Sequence, residues 1–166
     1  MSFCPDGVNV IVRNNEDHFL FVRQRYGEGK WILPGGGIEK TDPSPEAALV
    51  REVLEETYLS FFEEDVLLFC ELAQRVFDEN RVLVEGTLYL YEYEYAVSEC
   101  QLADFRPNDE VLEVKFFSLE YILEHREEFC LGYIRMILLY MRYLCGLPPT
   151  RKLSDKVEYP LGDPAI

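Results

Sequence analysis

Glu52, Glu55 and Glu56 stand at i, i+3 and i+4 in a segment with helical patterning, which brings three carboxylates within reach of a common point. Like charges so placed repel one another and destabilise a bare helix. The same cluster of hard oxygens is what Mg²⁺ or Mn²⁺ takes as ligands, and magnesium completes its shell with water and substrate phosphates. Upstream, Pro34-Gly35-Gly36-Gly37 marks a backbone that turns tightly or is approached closely, able to offer carbonyls to a metal and to let a pyrophosphate come near. An isolated E-x-x-E-E is most often a solvated acidic face. Here it follows a strand, a triple-glycine turn and a proline-initiated helix, with Arg51 directly before Glu52 and the three carboxylates expected opposite the helix's apolar stripe.

The elements that must position these groups are legible in outline. Ser44 is expected to be the N-cap of the helix, Pro45 fits its first position, and Glu46 favours the positive end of its dipole. Ala47, Ala48, Val50, Val53 and Leu54 form an apolar stripe at helical spacing, expected to pack on a sheet. Earlier, the apolar stretch from Gly7 to Arg13, the turn formers Asn14-Asn15-Glu16-Asp17 and the stretch from His18 to Arg25 read as a hairpin. Further strands are expected over residues 66 to 77, 81 to 97, and Val111 to Phe117. Two helices follow, one opening near Ser118 and one from about Phe129 to Leu144. Tyr89, Tyr91, Tyr93 and Tyr95 alternate along a strand, so their rings share one face. Core packing or cross-strand pairing is the usual role of such a ladder, and nucleobase stacking the rarer one. The class is α+β.

The stretch from Pro34 to Leu59 resembles the signature of the Nudix (MutT-like) hydrolases, G-x5-E-x7-R-E-U-x-E-E-x-G-U, where U is a bulky apolar residue. Arg51-Glu52-Val53-Leu54-Glu55-Glu56 agrees residue for residue, and Leu59 fills the closing apolar position. The preceding VRQRYGEGKWILPGG is also similar to the family, and the likeness extends over most of residues 7 to 125. It implies the Nudix fold, a mixed β-sheet sandwiched between α-helices, in one domain over residues 1–146 with a C-terminal tail over 147–166. Three departures bear on the site. Counting from Gly36, the first acidic position falls on Asp42 instead of glutamate, with eight residues in place of seven before Arg51, so the extra residue is expected in the loop near Asp42-Pro43. Tyr58 stands where the family carries glycine at a left-handed helix end, and must either accept strain or let the helix run on.

The resemblance further implies metal ligation by Glu52, Glu55 and Glu56, assisted by the backbone carbonyl of Gly36 or Gly37. Glu110, in the loop before a late strand, is implied as a further ligand or base, with Asp109 and Glu113 as fallbacks. Arg51 orients the glutamates through ion pairs with Glu39 or Asp42, and Glu55 or Glu56 is the base. Arg23, Arg25, Gly36 and Gly37 are the substrate-binding candidates, although strand alternation is equally compatible with solvent exposure of the two arginines. The implied reaction is Mg²⁺- or Mn²⁺-dependent cleavage of the pyrophosphate linkage in a nucleoside diphosphate joined to another moiety. Two alternatives stand beside it: a nucleotide-binding or regulatory module of the same fold without turnover, and a hydrolase of RNA 5′ ends or non-nucleotide diphosphates.

Composition bounds the partners. The 166 residues carry a net charge of −15, from 16 Lys+Arg against 31 Asp+Glu, and 48% are hydrophobic, enough for one domain with a core of its own. The acidic balance disfavours duplex nucleic acid, whose binding depends on clustered Lys and Arg. Five scattered cysteines without a C-x-x-C point away from a disulfide framework or a zinc site and toward free thiols in a reducing compartment. No signal-peptide pattern or membrane span is evident. The expectation is a cytoplasmic protein acting on a small-molecule nucleotide diphosphate, without membrane contact and with a homodimer left open. His18 and His125 are expected at the surface.

Overall fold

Runs of apolar and β-branched residues set the strands, and their alternation decides which face each side chain enters. In the computed structural model, which describes residues 3–26 and 28–147, β1 (Gly7–Ile11) sends Val8 and Val10 to one core cluster and Ile11 to another. The strands that follow are β2 (Phe19–Gln24), β3 (Trp31–Ile32), β4 (Gly35–Gly37), β5 (Val66–Phe77), β6 (Leu83–Tyr93) and β7 (Val111–Phe117). Helices α1 (Pro45–Thr57), α2 (Leu119–Glu124) and α3 (Leu131–Leu144) complete the set. From residue 148 onward the expected tail lies outside the described residues.

The strands form two sheets, a mixed one in the order β4-β1-β6-β5 and an antiparallel one in the order β3-β2-β7. β1 runs parallel to β6, from Gly7 opposite Leu88 to Ile11 opposite Glu92, and antiparallel to β4. β2 pairs with β7, Phe19 opposite Phe117. The hairpin expected over residues 7 to 25 is therefore only half present. The chain does turn at Asn14, whose N–H donates to the His18 carbonyl, and the Leu20 N–H donates to Val12, but β1 and β2 then join different sheets. Both strands are predominantly apolar and mostly buried on both faces, so pairing with each other alone would leave them uncovered.

Helix α1 covers one side of the sheets through Ala48, Leu49 and Val53, against Val8, Val10 and Leu20. On the other side Tyr133, Ile137 and Tyr140 of α3, with Ile122 of α2, pack on Phe19, Phe21 and Leu33. The sheets thus lie between helices, as expected. The tyrosine ladder belongs to the packing: Tyr91 is buried and its hydroxyl donates to Glu46 (3.0 Å), while the Tyr93 ring stacks on Phe61 at 3.8 Å. Strand β6 ends at Tyr93, short of the expected residue 97, so Tyr95 lies beyond it and stands exposed.

The start of α1 follows its sequence. The Ser44 hydroxyl accepts from the Ala47 N–H at 3.0 Å, and Pro45 occupies the first turn. At its end Tyr58 takes the left-handed conformation (φ 63°), its N–H donating to Leu54, and its ring rests 5.7 Å from that of Phe105. The tyrosine accepts the strain that glycine would avoid. The apolar stripe is rotated from its expected position: Ala48, Leu49, Val53, Glu56 and Thr57 are buried, whereas Leu54 is 47% exposed. Glu56 therefore lies on the buried face. The expectation that all three carboxylates oppose the stripe is corrected, because Leu49, Val53 and Glu56 succeed one another at i, i+4 and i+7 toward the sheet.

Candidate active site

The glycine turn is shaped by an amide buried in β1. The Asn9 side chain donates from Nδ2 to the carbonyls of Leu33 and Pro34, both at 3.2 Å, and the Val10 N–H donates to Pro34 as well. Gly35 sits at φ 144°, and a Cβ there would stand 2.0 Å from the Val8 carbonyl oxygen. A Cβ on Gly36 would fall 2.6 Å from the Glu52 carboxylate. Bare backbone at both positions lets the turn press against α1, where the Gly35 N–H donates to Glu56 Oε2 at 2.9 Å.

Arg51 ties the helix to the loop before it. Its Nε and Nη2 donate to the two oxygens of Asp42 at 3.0 and 2.8 Å, a bidentate pair. Its Nη1 reaches Glu52 at 2.8 Å and Glu55 at 3.4 Å, and its Nη2 also donates to the Gly37 carbonyl at 3.1 Å. Glu39, the other expected partner, is farther away at 3.9 Å. The Arg51 guanidinium holds the Asp42 carboxyl below the ordinary aspartate range, partly opposed by burial, and the carboxylates in turn push Arg51 upward. At neutral pH Asp42→Asn should lower stability by about 1.5–3 kcal/mol, the range for a hydrogen bond to a charged group. A carboxyl depressed in the fold stabilises above its unfolded pKa and loses that contribution as pH falls through the folded value. The gap between wild type and variant in urea unfolding should therefore be constant from neutrality down to about pH 4, the unfolded aspartate range, and shrink below it; a gap independent of pH would refute the assignment.

The three glutamates occupy distinct environments. Glu56 is 4% exposed, and burial pushes its carboxyl well above the usual range; the Gly35 N–H opposes this, while the charges of Glu52, Glu110 and Glu55 add to it. Glu52 is raised chiefly by burial, opposed by Arg51 and reinforced by Glu55 and Glu110. The Glu55 side chain is half exposed. Glu110, exposed in the loop before β7, lies close enough for its charge to act on both buried carboxylates.

The remaining candidates divide. Arg23 is ion-paired with Glu113 and its guanidinium lies 5.7 Å over the Trp31 ring, so these two residues hold β2 to β7. Arg25 is exposed beside the Glu110 loop, its Nε donating to the Asn108 carbonyl at 3.0 Å and its N–H to the Glu110 carbonyl at 2.7 Å. Gly36 and Gly37 line the turn, with the Gly37 carbonyl engaged by Arg51. Sequence reasoning passed over Asn9 and Asn108. A lone amide in the apolar run Gly7–Val12 is a signal for the first; an asparagine among loop formers offered none for the second.

Among the described residues, no three His, Cys, Asp or Glu side chains gather tightly enough to cage a metal ion by themselves. The donor set still fits a hard divalent cation that retains water and takes phosphate oxygens. It is all oxygen, and Glu56 is a buried carboxylate beside other carboxylates, an arrangement that a cation would relieve. Among the described residues no helix is long and apolar enough to cross a membrane.

Comparison with known proteins agrees with this architecture. The NUDIX domain model matches residues 5–137. The MutT protein from Methanosarcina mazei Go1 superposes with a TM-score of 0.59 at 26% identity, covering 87% of this chain and 96% of that one. The NUDIX domain of Shewanella oneidensis NrtR, complexed with ADP ribose, shares the fold with a TM-score of 0.64 at 19% identity, over 87% and 90% of the two chains. An RNA pyrophosphohydrolase of Marinomonas sp. is 38% identical over 60 residues, 36% of either chain, and the matched segments span about a third of the length of the first such relatives. With a family match across most of its length, on a fold that sets a glycine turn against an R-E-x-x-E-E helix, this chain belongs to the NUDIX family.

Proposed function

We propose that residues 1–146 form a divalent-metal-dependent pyrophosphohydrolase cleaving a nucleoside diphosphate joined to another moiety. The observation that carries this reading is Glu56: a carboxylate buried at the glycine turn among three others is unfavourable unless a cation is part of its function. Glu52, Glu55 and Glu56, with Glu110 and the Gly36 carbonyl, would hold Mg²⁺ or Mn²⁺. Bound there, such a cation neutralises phosphate charge and makes water a stronger nucleophile. Arg51 fixes Glu52 and Glu55 from one side, and the Gly35 N–H fixes Glu56 from the other. Glu55, the accessible one of the three, accepts the proton of the attacking water on a carboxylate oxygen. Arg25, held through Nε, offers its terminal nitrogens to a phosphate. The five cysteines are free, in keeping with the cytoplasm.

Assay of a nucleotide panel that includes ADP-ribose, dinucleoside polyphosphates, sugar nucleotides and nucleoside triphosphates, with Mg²⁺ and with Mn²⁺, tests this reading. At least one substrate should be cleaved, and Glu55→Gln should slow that reaction by about 10²–10⁴-fold. Unchanged turnover in the variant would remove Glu55 from the mechanism. A second reading, action on RNA 5′ ends, is favoured by the RNA pyrophosphohydrolases among the relatives and opposed by the net charge of −15. Phosphate or pyrophosphate release from a 5′-triphosphorylated oligonucleotide, faster than from every nucleotide in the panel, would select it.

A further inference from the structure

Asn108 makes more connections around the site than any residue whose role the Nudix signature assigns outside α1. Its Oδ1 accepts from the N–H groups of Glu110 (2.9 Å) and Val111 (2.8 Å), and its own N–H donates to the Val111 carbonyl at 3.0 Å. These bonds close the turn that leads into β7. Two others leave the loop. Nδ2 donates to the Glu55 carbonyl at 3.3 Å, near the C-terminal end of α1, and the Asn108 carbonyl accepts from Arg25 Nε at the end of β2. The loop is pinned again by the Arg25 N–H on the Glu110 carbonyl and by the Phe105 ring against Tyr58. One asparagine thus joins the helix bearing three carboxylates to the loop bearing the fourth.

We propose that Asn108 is a positioning residue that sets the distance between Glu110 and the α1 glutamates by bridging the Glu110 turn to the Glu55 carbonyl and to Arg25. The inference rests on the pyrophosphohydrolase reading for its effect on turnover, and on the residues alone for its effect on cation binding. Glu110 is itself exposed, so its place opposite α1 depends on what holds its backbone. A side chain that only closed a turn would need its Oδ1 acceptor; the Nδ2 donor to α1 is what makes this one a bridge. Serine at this position retains a turn-forming acceptor but is too short to reach the Glu55 carbonyl.

The test compares Asn108→Ser, Asn108→Ala, Glu110→Gln and the double variant Asn108→Ser/Glu110→Gln, by Mn²⁺ titration with paramagnetic-resonance detection of the free ion and by kcat and KM on the best substrate. Asn108→Ser should weaken Mn²⁺ binding and lower kcat by about tenfold or more, the scale on which outer-shell partners of metal ligands act, with KM changed less than about threefold. In the Glu110→Gln background the same substitution should have almost no further effect, because Asn108 acts through Glu110. A purely structural role would give additive losses, and wild-type behaviour of Asn108→Ser would show the bridge to be idle; either overturns the proposal. Asn108→Ala, which also removes the turn acceptor, should be worse than serine in thermal stability. If no nucleotide is cleaved, the hydrolase reading fails while the Mn²⁺ cycle still decides the role of Asn108.

Discussion

Glu56→Gln should abolish turnover and, in the metal-free protein, raise thermal stability. The two effects have one origin. The Glu56 carboxylate is buried beside Glu52 and within the influence of Glu110 and Glu55, with the Gly35 N–H as its compensating donor. Glutamine keeps an oxygen for that N–H while removing the buried charge. A gain of about 1 kcal/mol, or about 2–4 °C in Tm for a domain of this size, is expected in the presence of a chelator. Turnover with Mg²⁺ should fall by at least about 10²-fold. The pH dependence fixes the cause. A group whose folded pKa is raised above its unfolded value stabilises fully below the unfolded value and loses that contribution as pH rises through the folded one. The advantage of the variant should therefore be absent near pH 4 and grow as pH rises to neutrality. Differential scanning calorimetry at pH 4 and pH 7 reads this directly, and a variant less stable than wild type at pH 7 would mean that the carboxylate is not under strain.

Gly35→Ala should be strongly destabilising. The new Cβ would stand 2.0 Å from the Val8 carbonyl oxygen and 2.8 Å from Asn9 Cα, so relief requires backbone movement in β1. The φ of 144° is itself strained for an L side chain. Together these should remove about 3 kcal/mol or more. Displacing Gly35 also withdraws the N–H from Glu56, so activity should fall beyond the loss of folded protein. Gly37→Ala is the matched control: nothing lies within 4 Å of a Cβ there, and a change below about 1 kcal/mol is expected. Equal stability of the two variants in urea unfolding would show that the turn is not pressed against β1.

The local parts of this site were legible and its tertiary parts were not. Ser44, Pro45 and the R-E-x-x-E-E run announced α1 because capping and helical spacing are properties of neighbouring residues. The resemblance to the Nudix signature implied an ion pair of Arg51 with Glu39 or Asp42, and the fold of the loop decides for Asp42 in a bidentate pair. The burial of Glu56 could not be anticipated. Its side chain reads as one more carboxylate on a charged face, and only the approach of the glycine turn from another sheet strand determines that this face is covered. The separation of β1 from β2 was hidden for a related reason: the turn at Asn14 is local, whereas the partners β6 and β7 are chosen by burial across the whole domain. Asn108 draws its role from three segments distant in sequence and carries no pattern of its own.

The parallel pairing of β1 with β6, residue 7 opposite residue 88, also has a kinetic meaning. The glycine turn and α1 lie inside the loop that this pairing closes, and β2 waits still longer for β7, residue 19 opposite residue 117. Until those long closures are made, α1, a 13-residue helix too short to persist alone in water, can lean only on the short β1–β4 pairing that precedes it in the chain. On a growing chain Glu110 is synthesised well after the α1 carboxylates on which its charge acts. The cation affinity proposed for the site should consequently appear late in refolding, together with the burial of the β strands.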